Sequence, residues 1–260
     1  MVAMAAGVLM FMWRKTLDSG YYAACAGLRA QTQALELIAS NVANINTTGY
    51  RGQLPMFRSL LASAGHQLTD PLNHAINDFG MLGGSRTDLG AGTLDRTGNP
   101  LDLAIEGSGF FAVQTRAGTL YTRNGNFQVS ASGQLTTAAG DPVLGEQGPI
   151  TMPSGPTSIS ADGTISTNGA LAGKLRMVEF VPGSSPVAMG NSYYSAPEKG
   201  LRPAATSYIR QTMLESSNVN PTMAVVDLIT VQRHAEMLER AMTAFQSNLD
   251  HTAAADLPRV

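Results

Sequence analysis

The chain has 260 residues, enough for one or two domains with a real hydrophobic core. Its 17 Lys and Arg against 19 Asp and Glu give a net charge of -2, which leaves no basic field for nucleic acid. With aromatics at 6%, the 27 Gly and 13 Pro favour a β-rich, turn-rich middle over a compact helical enzyme.

Met1 to Trp13 is apolar and precedes Arg14-Lys15. It falls short of the ~20 residues of a spanning helix, and its charges follow the apolar run where a secretory signal needs them before it. An extension from an early start codon with Met12 as the alternative start, an uncleaved anchor and a signal peptide are the three readings of it. From Thr16 to about Ile45 the pattern is helical, with an apolar stripe in Tyr21, Ala24, Leu28, Leu35, Ile38, Val42 and Ile45. The single cysteine, Cys25, excludes an internal disulfide and a Cys-rich metal site; among Ala23, Ala24 and Ala26 it reads as a small buried thiol. The helix ends in Asn44 to Tyr50, where Gly49 suits the left-handed conformation of a C-terminal cap.

Residues 51–98 carry little periodicity beyond a short helix expected near Met56 to Leu61. From Pro100 to about Tyr194 the period becomes two. Leu101, Leu103 and Ile105 alternate with Asp102, Ala104 and Glu106 as in a half-buried strand; Phe110 to Gln114, Leu120 to Thr122, Phe127 with Val129, and Lys174 to Val181 read as further strands. Turn signals at Asn124-Gly125, Ser132-Gly133, Gly140-Asp141-Pro142 and Asp162-Gly163 separate them, which points to an antiparallel sandwich or small barrel.

Pro203 to Leu214 is extended. Asn220 then fits a helix N-cap and Pro221 the first helical position. Ala224, Leu228, Val231, Ala235, Leu238, Met242, Phe245 and Leu249 follow at alternating four- and three-residue steps, the spacing of a coiled-coil seam. The two terminal stripes could pack on each other as a helix pair within one chain; on weakly charged helices they suit packing against several neighbours in an assembly.

No catalytic constellation stands out. Gly107-Ser108-Gly109 lacks the following helix of a phosphate loop and the spacing of a hydrolase elbow, and reads as a tight bend between strands. Asp102 and Glu106 share a strand face as many solvent-facing charges do, and Tyr121, Tyr193 and Tyr194 read as strand packing. The four histidines show no ligand spacing. No metal, cofactor or small-molecule substrate is expected.

Three blocks carry a resemblance. Leu37-Ile38-Ala39-Ser40-Asn41-Val42-Ala43-Asn44-Ile45-Asn46-Thr47-Thr48-Gly49-Tyr50-Arg51 resembles the N-terminal signature of the bacterial flagellar rod and hook protein family. Pro100 to Val113 and Tyr121-Thr122-Arg123-Asn124-Gly125-Asn126-Phe127 resemble its central β-domain. Glu215-Ser216-Ser217-Asn218-Val219-Asn220-Pro221, with Gln232, Arg233 and Glu236, resembles its C-terminal helix signature. Within the family, Pro142 to Ile150 and Ala161 to Ser166 look most like the proximal rod type, with the distal rod type as nearest rival.

The resemblance implies a non-enzymatic subunit of the hollow rod in the flagellar basal body, placed in the periplasm after export from the cytoplasm by the flagellar type III apparatus. Its implied partners are other copies of itself and other rod proteins. The implied fold is α+β, a discontinuous domain of paired, coiled-coil-like terminal helices plus a central antiparallel sandwich or barrel-like domain. The expected divisions are an extension at 1–15, an assembly helix at 16–50, an irregular linker at 51–98, the β-domain at 99–200, a return segment at 201–217, and a helix at 218–260 that pairs with the first. Assembly is expected to run through Leu28, Leu35, Ile38, Asn41, Val42, Asn44, Ile45, Thr47, Gly49, Tyr50, Asn218, Asn220, Leu228, Val231, Gln232, Arg233, Leu238, Met242, Phe245 and Leu249. A distal rod or hook-type subunit is the alternative within the family. A secreted β-sandwich binding module or hydrolase with helical oligomerisation ends, and a membrane-anchored periplasmic adaptor using Met1 to Trp13, are the alternatives outside it.

Overall fold

The computed structural model describes residues 24–58 and 81–256; Met1 to Trp13, Tyr21 and Ser59 to Leu61 lie outside the described residues. Helix α1 occupies 24–43 and helix α2 Pro221–Asp256, and between them lie nineteen described strands, β1 to β19, with antiparallel pairing throughout β3 to β19. The fold is therefore α+β. The described residues divide into two compact units, 24–40 with 55–58, 81–85 and 222–256, and 41–54 with 86–221.

In the first unit, α1 buries Ala24, Ala30, Gln31, Ala34 and Ile38, a face built mostly of small side chains. The larger Leu28 and Leu35 sit half-buried at its edge. On α2, Ala224 and Leu238 are buried and Leu228, Val231, Ala235 and Met242 half-buried, so the alternating stripe is largely covered within a single chain. The side chains of Phe245 and Leu249 lie outside the described residues. Pro221 opens α2, where its missing N–H leaves no helical hydrogen bond unmade.

In the second unit β15 (Val187–Ala188), β16 (Tyr193–Ser195) and β17 (Leu201–Pro203) join three longer strands in a six-stranded sheet of order β15-β16-β6-β5-β14-β17. Its centre is β5 (Gly109–Thr115), hydrogen-bonded to β6 (Gly118–Thr122) on one side and β14 (Met177–Phe180) on the other. Successive strand residues point to opposite faces. Phe111 and Val113 therefore enter one core with Leu103, Ile105, Phe127, Leu135, Ile165 and Ile209, while Phe110 and Ala112 enter a second with Tyr121, Val178, Phe180 and Tyr194. Fully burying a side chain of this size contributes about 1.5–3 kcal/mol. Smaller antiparallel sheets complete the unit. One is β11 (Thr157–Ile159), β12 (Thr164–Thr167) and β13 (Ala170–Lys174); the others are the pairs β4 (Leu103–Glu106) with β18 (Tyr208–Gln211), β3 (Leu94–Arg96) with β19 (Met213–Glu215), β7 (Phe127–Val129) with β8 (Leu135–Thr137), and β9 (Leu144–Gly145) with β10 (Gly148–Pro149).

Four local expectations need correction. Met56 belongs to a strand, β1 (Gln53–Arg58), which pairs with β2 (Met81–Thr87) where a helix was expected; the ladder to β2 outweighs the weak local periodicity, and a two-stranded ribbon has an open edge that accommodates Pro55. Among the described residues, 51–98 accordingly hold three strands, β1 to β3. The strand expected over Lys174 to Val181 is β14, which is shorter at both ends; Lys174 instead closes β13 (Ala170–Lys174), in a different sheet. The half-buried alternation read at Leu101 to Glu106 is covered on both faces as far as Ile105, for Asp102 and Ala104 are buried too.

Candidate functional site

The residues flanking the two helices meet the β-domain in one place. Beyond α1 the chain turns over 44–49, with Asn44 N–H donating to the Asn41 carbonyl at 3.1 Å and Thr47 N–H to that of Asn44 at 3.1 Å. The Asn41 side chain closes this turn. Its Oδ1 accepts the Tyr50 hydroxyl at 3.1 Å and the Gln53 N–H at 2.8 Å, while its Nδ2 donates to the Gln53 carbonyl at 2.8 Å. Gly49 is left-handed at φ 66°, but six residues past the end of α1, so it does not cap the helix. Its role is close approach: a Cβ there would sit 2.3 Å from the Asn124 nitrogen, and its N–H reaches the Glu215 carbonyl at 2.7 Å.

Ahead of α2, Asn218 plays the part that Asn41 plays behind α1. Its Oδ1 accepts the Gly52 N–H at 2.7 Å, and its Nδ2 donates to the carbonyls of Asp88 at 3.1 Å and Gly90 at 3.0 Å. Its backbone N–H donates to the Tyr50 carbonyl at 3.3 Å. Thus 41–54 and 215–218 are joined to each other as well as to the sheet.

A buried ion cluster lies at the centre. The Glu215 carboxylate accepts Arg51 Nη2 at 2.6 Å and the Gly92 N–H at 2.8 Å on one oxygen, and Arg123 Nη1 at 3.1 Å on the other. All three charged side chains are essentially inaccessible to solvent. Arg123 also donates to the carbonyls of Ile105 at 3.0 Å and Gly107 at 2.5 Å, and its guanidinium lies 4.8 Å from the Phe110 ring centroid. Burial pushes the Arg123 pKa down to about 10; Glu215 opposes that shift and the nearby Arg51 adds to it. The Arg51 N–H donates to the Tyr194 hydroxyl at 2.9 Å, and burial pushes that phenol up to about 12.

Of the residues expected to carry assembly, Asn41, Asn44, Thr47, Gly49, Tyr50 and Asn218 are brought together here. Leu28, Leu35, Ile38 and Val42 lie on α1, and Ile45 in the turn beyond it; Ile38 is buried and the others half-buried. Leu228, Val231, Leu238 and Met242 are on the covered face of α2, whereas Asn220, Gln232 and Arg233 are exposed. The ion cluster was missed as a site, although Arg51, Arg123 and Glu215 each stand in one of the three blocks of resemblance. Their signal was a lone charge in an otherwise uncharged run; Gly92 gave none.

The residues weighed for catalysis are otherwise engaged. Asp102 accepts from the side-chain amides of Asn99 at 3.0 Å and Asn126 at 3.2 Å, and Glu106 pairs with Arg210 at 2.7 Å. The Ser108 hydroxyl donates to Glu179, which also binds Arg202. The Ser108 and Arg202 bonds hold the Glu179 carboxyl below its usual pKa, so it is no poised base. Tyr121 and Tyr194 pack in the second core and Tyr193 in the first.

Three family models match the chain in order. They describe the flagella basal body rod protein at residues 22–51, the flagellar hook protein FlgE/F/G D1 domain at 104–167, and the flagellar basal body rod FlgEFG protein C-terminal region at 210–255. The flagellar basal-body rod protein FlgF of Mesorhizobium japonicum is 34% identical over 246 residues, covering 90% of this chain and 96% of that protein. FlgF of Salmonella typhimurium is 35% identical over 248 residues, covering 89% and 96%. The rod protein FlgG of Agrobacterium fabrum is 33% identical over 245 residues, covering 85% and 92%. With Arg51 closing the first matched block and Glu215 lying in the last, the junction joins the two matched ends of one architecture, and the chain belongs to the flagellar basal-body rod protein family.

Proposed function

We propose that this chain is a structural, non-enzymatic subunit of the flagellar basal-body rod, of the FlgF type, which polymerises through its terminal helices. The observation that carries the assembly role is the outer face of α2. Opposite its covered stripe, Val225, Val226, Ile229 and Met237 are 45–53% exposed, interleaved with Arg233, Glu236 and Arg240. An apolar row of this kind costs free energy in water and is relieved by docking on like surfaces. Repeated head-to-tail contact of one surface with a different one yields an open helix rather than a closed ring. Pairing of α1 with α2 along their covered stripes, and closure of the two strand cores into a sandwich, belong to this proposal. So do self-association alongside other rod proteins and export through the flagellar type III apparatus. The FlgG relatives support a distal-rod subunit as the second reading.

Imaging basal bodies from cells lacking the gene tests it. Rods absent or truncated, and restored by the full chain but not by chains lacking 218–260, are expected. Normal rods without the gene would refute the assembly role, and the position at which a truncated rod stops separates proximal from distal.

A further inference from the structure

We infer that Arg51, Glu215 and Arg123 form a conformational latch, in which the Glu215 carboxylate admits Arg51 and so docks segment 41–54 and the entry to α2 as one event. The cluster holds two guanidiniums and one carboxylate, a net charge of +1 inside the protein. Arg123 and Glu215 neutralise each other without Arg51, and Arg123 keeps the carbonyls of Ile105 and Gly107 and the Phe110 ring whether or not Arg51 is present. Arg51 has no such reserve. Glu215 is the sole partner of its guanidinium among the described residues, and the guanidinium Nε and Nη1 are buried without an acceptor there. With the carboxylate uncharged, docking 41–54 would bury Arg51 beside Arg123 with nothing between the two positive charges.

The surrounding backbone makes the event two-sided. Gly49 N–H to the Glu215 carbonyl, Asn218 N–H to the Tyr50 carbonyl and Gly52 N–H to Asn218 Oδ1 are shared bonds, each needing both segments in place. Residues 164 apart in sequence therefore order one another, and loosening either loosens both. The latch operates within one chain, whether or not that chain assembles.

Amide exchange on the full chain tests this, comparing 44–54, 213–219 and, as reference, 109–122 in four proteins. In Glu215→Gln, exchange over 44–54 is expected to rise at least ~10-fold with 109–122 unchanged. In Arg51→Gln, which leaves the neutral Arg123–Glu215 pair, 44–54 and 213–219 are expected to loosen together and by less than in Glu215→Gln. The double variant is expected to regain protection over 44–54 relative to Glu215→Gln, because it removes the one of the two unpartnered charges that segment 41–54 carries. Unchanged exchange over 44–54 in Glu215→Gln overturns the latch, as does a double variant as open as that single one. Loosening of 44–54 without 213–219 in Arg51→Gln also overturns it. If Glu215→Gln fails to fold, Arg51→Gln still decides the coupling.

Discussion

The Tyr194 hydroxyl accepts the backbone N–H of Arg51 at 2.9 Å, across 143 residues of sequence. One strand of the six-stranded sheet thereby holds the segment that follows α1. Tyr194→Phe removes the acceptor and leaves a buried N–H unpaired, at a cost of about 1–3 kcal/mol measurable by urea denaturation.

The same phenol sets a pH dependence. Burial raises its pKa from 10.0 to about 12, so between those values the unfolded chain binds fewer protons than the folded one. Its contribution is complete below pH 10 and is lost as pH rises towards 12. Melting temperatures of the parent and Tyr194→Phe proteins should therefore converge over that window. Tyr193, also raised to about 12, and Arg123, lowered to about 10, titrate in both proteins and leave the difference to Tyr194. A gap constant from pH 9 to 12 would count against this assignment.

Gly49→Ala is expected to be worse than the same change at Gly140. Both glycines have positive φ, worth about 1–2 kcal/mol of strain for an alanine. A Cβ at Gly140 meets nothing within 4 Å, whereas one at Gly49 lies 2.3 Å from the Asn124 backbone, which cannot swing aside as a side chain does. Denaturation midpoints for the two variants give the comparison. Equal losses would mean that the Gly49 approach is not tight.

Asn218→Ala deletes one acceptor and two donors at once, since the amide serves Gly52, Asp88 and Gly90. The Gly52 N–H is the group left most in need, and an overall loss of about 1–3 kcal/mol follows. Proteolysis near residue 52 should quicken in this variant, and an unchanged cleavage rate there would count against this role of Asn218.

The two faces of α2 separate folding from assembly. Leu238 is buried within the single chain, so Leu238→Ala should destabilise the monomer by about 2–5 kcal/mol. Ile229→Asp lies on the exposed face and should leave monomer stability within about 0.5 kcal/mol. If that face docks on neighbouring subunits, Ile229→Asp abolishes motility all the same. A fully motile Ile229→Asp strain would place the assembly contact elsewhere.

Local signals in the sequence settled the outline. The alternating stripe from Ala224 to Met242 and the start at Pro221 identified α2, because helical periodicity and the loss of a proline N–H act within a turn or two of chain. The alternation through Phe111 and Val113 and the Ser132-Gly133 turn between β7 and β8 were equally local. Elsewhere the deciding partner lay far away. Met56 joins a strand because β2 supplies a ladder, and β5 is covered on both faces because β4, β7 and β14 bring residues to it. Arg51, Arg123 and Glu215 each looked like an isolated polar residue, and nothing within a few positions of any of them supplies the opposite charge. Whether a charge is solvated or buried against a partner depends on which distant segments share its space, so only the tertiary structure could assemble the three into one site.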